Sequence, residues 1–142
     1  MKYYHLEPEV AGDSAGDHTE ADWTTHPPTV TKLHYELEYG PRDALLESFP
    51  CWIATVATMN AIRSAELTGA TFDDVEVTMT EQAREFEPDF GLPDFVWLKI
   101  DGKAGQDDFG VAPNLRLVVS ERALKLLQGF GISHAEITDY SG

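Results

Sequence analysis

Two stretches of this chain, 65 residues apart, run through the same order of strand, cap, helix and strand, and no other feature narrows the fold as far. In the later stretch Leu117-Val118-Val119 is an apolar strand and Ser120 stands where a helix N-cap belongs. Ala123, Leu124, Leu126, Leu127 and Phe130 then recur at the spacing of one helix face, Gly129 and Gly131 close the helix, and Ile132 to Ile137 returns as a strand. The earlier stretch offers Trp52-Ile53-Ala54, Thr55 as cap, and a stripe of Met59, Ile62 and Ala65; a stop at Leu67-Thr68-Gly69 leads to a strand through Phe72, Val75 and Val77. A shift of 65 places Ile53 on Val118, Thr55 on Ser120, Met59 on Leu124, Ile62 on Leu127, Leu67 on Ile132 and Phe72 on Ile137. Two copies of one strand-helix-strand unit account for the match, and so does the general recurrence of caps and stripes in unrelated units. Both accounts give a single α+β domain over residues 1–142, with a mixed or antiparallel sheet and two main helices packed on one face.

The elements outside the two units are shorter. Lys2 to Leu6 reads as a strand or an extended arm, followed by a polar linker from Pro8 to Pro28 that includes Gly12, Gly16 and Pro27. Connections longer than about 12–15 residues without regular structure are usually functional or disordered. Trp23 within it is expected to pin the loop to the body, because a Trp left in water forfeits a large burial gain. Strict alternation puts Leu33, Tyr35, Leu37 and Tyr39 on a buried face and His34, Glu36 and Glu38 on the other, until Gly40-Pro41 ends the strand. Asp43 could cap a short helical turn through Ala44, Leu45 and Leu46. A short helix is expected from Glu81 to Phe86 behind Thr80, then a turn at Pro88 and Pro93. Strands are therefore expected near 31–39, 52–54, 71–77, 95–100, 115–119 and 133–137, and main helices near 56–66 and 120–129, burying Met59, Ile62, Leu124 and Leu127. At 15.8 kDa such a chain should retain about 7,300 Å² of accessible surface when folded.

Charge restricts function more than any motif does. With 25 acids against 10 bases the net charge is -15, which disfavours direct binding to nucleic acid or to an anionic membrane. Residues 1–50 and 51–94 each carry -7, and residues 95–142 only -1, so the field is directional and suits a basic partner. Within it, residues 73–94 set eight acids against the single base Arg84. Asp73, Asp74, Glu76, Glu85, Glu87 and Asp89 are accordingly the expected partner-binding residues, with help from the 8–28 loop; the alternative is that these acids form a solvated face. The one cysteine, Cys51, excludes an intramolecular disulfide, and its apolar neighbours predict a buried, unreactive thiol. With no apolar stretch of signal-peptide or membrane-span length, a cytoplasmic location is expected.

No catalytic or metal-binding constellation is legible. None of His5, His18, His26, His34 and His134 pair at the i, i+4 spacing of a helical metal site, so no metal or cofactor is expected. Asp107-Asp108-Phe109-Gly110 contains the Asp-Phe-Gly of protein kinases without the phosphate loop, strand lysine or catalytic-loop residues that would give it that meaning. It reads as a tight turn whose Phe109 enters the core while the aspartates cap backbone groups. A small enzyme using carboxylates on a cationic or sugar substrate remains the alternative; pairs such as Glu7/Glu9, Glu36/Glu38 and Asp73/Asp74 could in principle serve it, although among 25 acids such pairs occur by chance.

The stretch Leu115 to Leu124, followed by Phe130-Gly131-Ile132-Ser133-His134-Ala135-Glu136-Ile137, resembles the close of small bacterial proteins encoded beside polymorphic toxins. Ala65-Glu66-Leu67-Thr68-Gly69-Ala70-Thr71-Phe72 resembles another phrase of these immunity proteins, as do Tyr4 to Gly12, Leu92 to Leu98 and Asp107 to Gly110. The resemblance implies a non-enzymatic protein that blocks a cognate toxin by stoichiometric binding, and it transfers no catalytic residue. A toxin that attacks nucleic acid carries a basic groove, which an acidic inhibitor can cover in place of phosphates.

Overall fold

The computed structural model describes residues 2–14 and 17–141; Gly16 of the expected linker lies outside the described residues. In chain order its elements are β1 (Tyr3–Glu7), β2 (Gly12–Asp13), β3 (Glu20–Asp22), β4 (Thr29–Lys32), β5 (His34–Leu37), β6 (Leu45–Ser48), β7 (Cys51–Thr55), α1 (Val56–Ser64), β8 (Ala70–Asp73), β9 (Glu76–Met79), α2 (Glu81–Phe86), β10 (Phe95–Ile100), β11 (Phe109–Val111), β12 (Leu117–Ser120), α3 (Glu121–Phe130) and β13 (Glu136–Tyr140).

Two four-stranded sheets, β6-β7-β10-β8 and β11-β12-β1-β13, have one topology. In each, a hairpin leads into a helix, and the strand after the helix leaves one slot beside the hairpin. An antiparallel strand from elsewhere in the sequence fills that slot: β10 in one sheet, β1 in the other. The register repeats as well. Ile53 and Asp73 flank Trp97, and Val118 and Thr138 flank His5, so both flanking residues move by the 65-residue shift. Trp52 and Phe72 flank Leu98 as Leu117 and Ile137 flank Leu6. The sequence repeat is thus a repeat of hydrogen-bonded register, and the domain is α+β as its pattern requires.

The helices are set by their caps. Thr55 and Ser120 hold extended backbone at the two N-caps and accept from the amides of Thr58 and Ala123. Thr58 and Ala123, also 65 apart, are fully buried, while Met59 is only half-buried. Expecting Met59 inside was therefore off by one position: a small residue faces the sheet there, and Thr58 joins its hydroxyl to that of Thr55 at 2.6 Å. Ile62, Leu124 and Leu127 are buried as expected, whereas Phe130 lies at the exposed end of α3. Gly131 caps α3 at φ 102, a conformation that favours glycine.

One core lies between the two sheets and their helices, around Leu6, Trp52, Ala54, Ile62, Leu98, Phe109, Val119 and Leu127. A second lies on the other face of the β6-β7-β10-β8 sheet, where Ile53, Leu46 and Trp97 meet Leu33, just before β5, and Tyr35 and Leu37 of a small β2-β5-β9 sheet. The alternation in β5 held for Leu33, Tyr35 and Leu37, but His34 is buried too and Tyr39 is exposed. The single strand expected at 31–39 is two, since β4 pairs with β3 and β5 with β2 and β9. The strand expected at 71–77 likewise divides into β8 and β9, which belong to different sheets. Residues 45–48 form β6 rather than a helical turn, and the last strand starts at Glu136. The accessible surface is 7678 Å².

The two sheets are joined by the Asp107–Gly110 turn. Phe109 is fully buried, and the Asp108 carboxylate, with 5 % of its side chain exposed, accepts from Ser120 Oγ at 2.7 Å, Arg122 Nε at 2.8 Å, Arg122 Nη2 at 2.6 Å and Thr68 N at 2.9 Å. Gly69, at φ 91, lies where a Cβ would run into the Phe109 carbonyl. The hydrogen bonds from Arg122, then those from Ser120 and Thr68, hold the Asp108 carboxyl well below its ordinary value of 3.8. Its contribution to stability is therefore complete above that ordinary value and is lost as the pH falls toward the depressed one. Asp108→Ala should cost about 3 kcal/mol, and Arg122→Ala should also destabilise, because it takes two hydrogen bonds from a carboxylate that stays buried. Denaturant titrations should also show a shallower loss of stability between pH 5 and 2.5 in Asp108→Asn than in the wild type.

Candidate partner-binding surface

The six acids singled out from the sequence do not form one patch. Asp73 ends β8 and Asp74 follows it, both exposed, and Asp73 accepts from the Asp74 amide at 2.8 Å and faces Lys99 Nζ at 3.4 Å. The amide bond, then Lys99, holds the Asp73 carboxyl below its ordinary value. Glu76 opens β9, and Glu85, Glu87 and Asp89 lie past its far end. β9, roughly 10 Å long, runs between the two groups in the chain. Glu87 is an anchor rather than a free charge: its carboxylate accepts from Gly40 N at 2.6 Å. Charge counting could not separate these roles, because a carboxylate bonded within the fold looks the same in sequence as one in solvent.

Glu76 serves a clasp. Its two oxygens each lie 2.8 Å from His18 Nδ1, and one lies 3.7 Å from His34 Nε2; the two imidazoles stack with centroids 5.1 Å apart. His34 Nε2 also meets Thr78 Oγ1 at 2.7 Å, and His34 Nδ1 accepts from the His18 amide at 3.2 Å. The hydrogen bond from His18 is the main reason the Glu76 carboxyl lies below its ordinary value. Two imidazoles and a carboxylate this close have the composition of a zinc site. The backbone opposes that use at His34: its Nδ1 accepts from the His18 amide, so a neutral ring carries its proton on Nε2, and a metal there would require that bond to break.

This clasp, with Thr19 Oγ1 accepting from the His34 amide at 2.8 Å, fastens the loop that Trp23 was expected to pin. Trp23 is instead 52 % exposed, on the loop between β3 and β4. Histidines at 18 and 34 gave no sequence signal because their meeting is made by parallel pairing of β5 with β9, which sets His34 opposite Glu76.

A second cluster, Glu9, Asp43 and His134, is likewise invisible in the sequence. The buried Asp43 carboxylate accepts from His134 N and meets His134 Nδ1, each at 2.8 Å. Glu9 accepts from the amides of Arg42 and Asp43 and from Tyr39 Oη. Ser133 Oγ approaches His134 at 3.4 Å, but on the same nitrogen that Asp43 occupies. A Ser-His-Asp relay needs the serine and the aspartate on opposite ring nitrogens, so this arrangement is a brace between the β5–β6 and α3–β13 connections rather than a nucleophile. Cys51 is buried, and burial pushes its thiol up to about 12, as an inert core cysteine requires. It borders an apolar cleft of about 320 Å³ between Pro27, Phe49, Trp52, Trp97 and Lys99.

The remaining acids lie on an excursion from residue 81 to 94. Only Ala83 of this segment is buried; Thr80 caps α2 by accepting from Ala83 N, Glu87 holds Gly40, and Phe90 packs on Gly40. Glu81, Glu85, Asp89 and Asp94 are exposed, and among them Phe86 is 77 % exposed. Leaving a Phe out of the core forfeits roughly 1.5–3 kcal/mol. No family model matches the chain, and no curated protein matches it significantly. Among the described residues, no helix is long and apolar enough to cross a membrane.

The clasp assignment has a direct check. Glu76→Ala should raise hydrogen exchange at the amides of His18 and Thr19 by at least tenfold, while exchange in β7 and β12 stays as in the wild type.

Proposed function

We propose that the protein is a cytoplasmic immunity protein that binds and neutralises a cognate bacterial toxin with a basic surface, such as the groove of a toxin acting on nucleic acid. The observation that carries this reading is the excursion at 81–94, which presents exposed carboxylates and an exposed aromatic ring while contributing a single buried side chain to the fold. Its net charge of -4, on a chain of -15, would steer a cationic protein toward it. The resemblance in the two repeated units supports the same class.

An enzyme working through paired carboxylates has less support. Glu9 and Asp43, the two buried carboxylates of the second cluster, direct their oxygens to protein donors, and Asp108 is enclosed by Ser120, Thr68 and Arg122. Each has a structural task that accounts for its burial.

The test is binding to the polypeptide encoded by the neighbouring gene. The two should co-purify as a stoichiometric complex, and the association rate should fall at least tenfold between 20 and 300 mM salt. Absence of a complex at micromolar concentrations, or an association rate indifferent to salt, would reject the reading.

A further inference from the structure

We propose that α2 and the turn after it form the docking element of this protein, with Phe86 as an anchor that enters an apolar pocket of the toxin ringed by lysine or arginine. The inference rests on the reading above and assigns it to particular side chains. Phe86 is the most exposed large apolar residue among those described, on a helix whose sequence neighbours are charged or polar on both sides. Aromatic anchors of this kind supply most of the binding energy in protein interfaces, once a rim of weaker contacts excludes water around them. The segment around the ring is mainly acidic: Glu85 and Glu87 flank Phe86 in the chain, and Glu81 earlier in α2 and Asp89 in the turn after it are exposed, against the one exposed base Arg84. A pocket that accepts the ring while meeting those carboxylates must itself be bordered by cations, since like charges or unpaired carboxylates at the rim would oppose docking.

The support of the element also fits docking. Thr80 caps the helix and donates its amide to the Leu37 carbonyl, Glu87 bonds Gly40 N, and Phe90 rests on Gly40, so the segment is tied to the end of β5 at Leu37 and at Gly40, on the two sides of α2. An anchor held in place before binding loses less conformational freedom on docking than one on a loose loop. The two halves of the expected acidic surface then differ in role. Asp73 is turned to Lys99 and the Asp74 amide, and Glu76 to the histidine clasp, which leaves Asp74 as the exposed carboxylate there, against Glu81, Glu85 and Asp89 at the α2 end.

The two contributions separate kinetically. With the neighbouring gene product as the probe and the full-length chain immobilised, Phe86→Ala should raise the dissociation rate at least 30-fold and leave the association rate within threefold. Phe86→Leu, which keeps an apolar side chain, should recover part of that loss. The triple variant Glu81→Gln, Glu85→Gln, Asp89→Asn should slow association about tenfold at low salt and change dissociation much less. All these positions are exposed, and unchanged thermal unfolding would establish that each variant is folded. If the wild type forms a complex and Phe86→Ala dissociates at the same rate, the docking assignment falls and the immunity reading stands. If the wild type forms no complex, both fall.

Discussion

The carboxylate of Asp108 is the point on which the two halves of the fold depend. It lies in the turn before β11, accepts from the amide that follows α1, and accepts from the hydroxyl that caps α3. A buried carboxylate must be fully bonded, because an unpaired one costs several kcal/mol in a low-dielectric interior. Meeting that requirement fixes Thr68 against Ser120, and so fixes the exit of one strand-helix-strand unit against the helix start of the other. Phe109, next in the chain, then reaches the core between the sheets, and Gly69 permits the close approach. The surface elements are attached to this frame by smaller polar clasps: Glu76 with two histidines, Glu9 with Asp43, and Glu87 with Gly40.

Much of this frame is legible in the sequence because its signals are local. Thr55 and Ser120 stand out as caps from the residues that follow them, and each accepts the amide bond its position calls for, as does Thr80 ahead of the short helix. The 65-residue shift is the strongest case, since matching apolar positions proved to share a hydrogen-bonded register. What the pattern could not supply was the strand in each open slot. The chain brings β1 and β10 to equivalent places from opposite sides of their units, and no periodicity within either unit announces it. The same limit produced the errors at 31–39 and 71–77, where an unbroken apolar rhythm crosses a change of sheet. At Asp43 the cap chemistry was present, but its carboxylate bonds His134 in space instead of a following amide.

For the surface, the sequence conveyed sign and location of charge but not its availability. Glu76, Glu85 and Glu87 are equivalent in a charge count. In the fold Glu76 joins a clasp, Glu87 holds a glycine amide, and Glu85 is exposed. Phe86 was read as the end of a short helix, and a six-residue helix carries too little periodicity to show whether its last ring faces inward. Exposure of that ring, which only the fold reveals, is what supports the proposed docking role of the segment over the alternative of a solvated acidic face.

The central claim, that this protein acts through the face presented by α2, is tested most directly by mapping hydrogen-exchange protection on formation of the complex with the neighbouring gene product. The account predicts new protection across residues 81–92 and no change at residues 70–74. Protection confined to the β8 end or to the cleft around Phe49 and Trp97, with residues 81–92 exchanging as in the free protein, would contradict it.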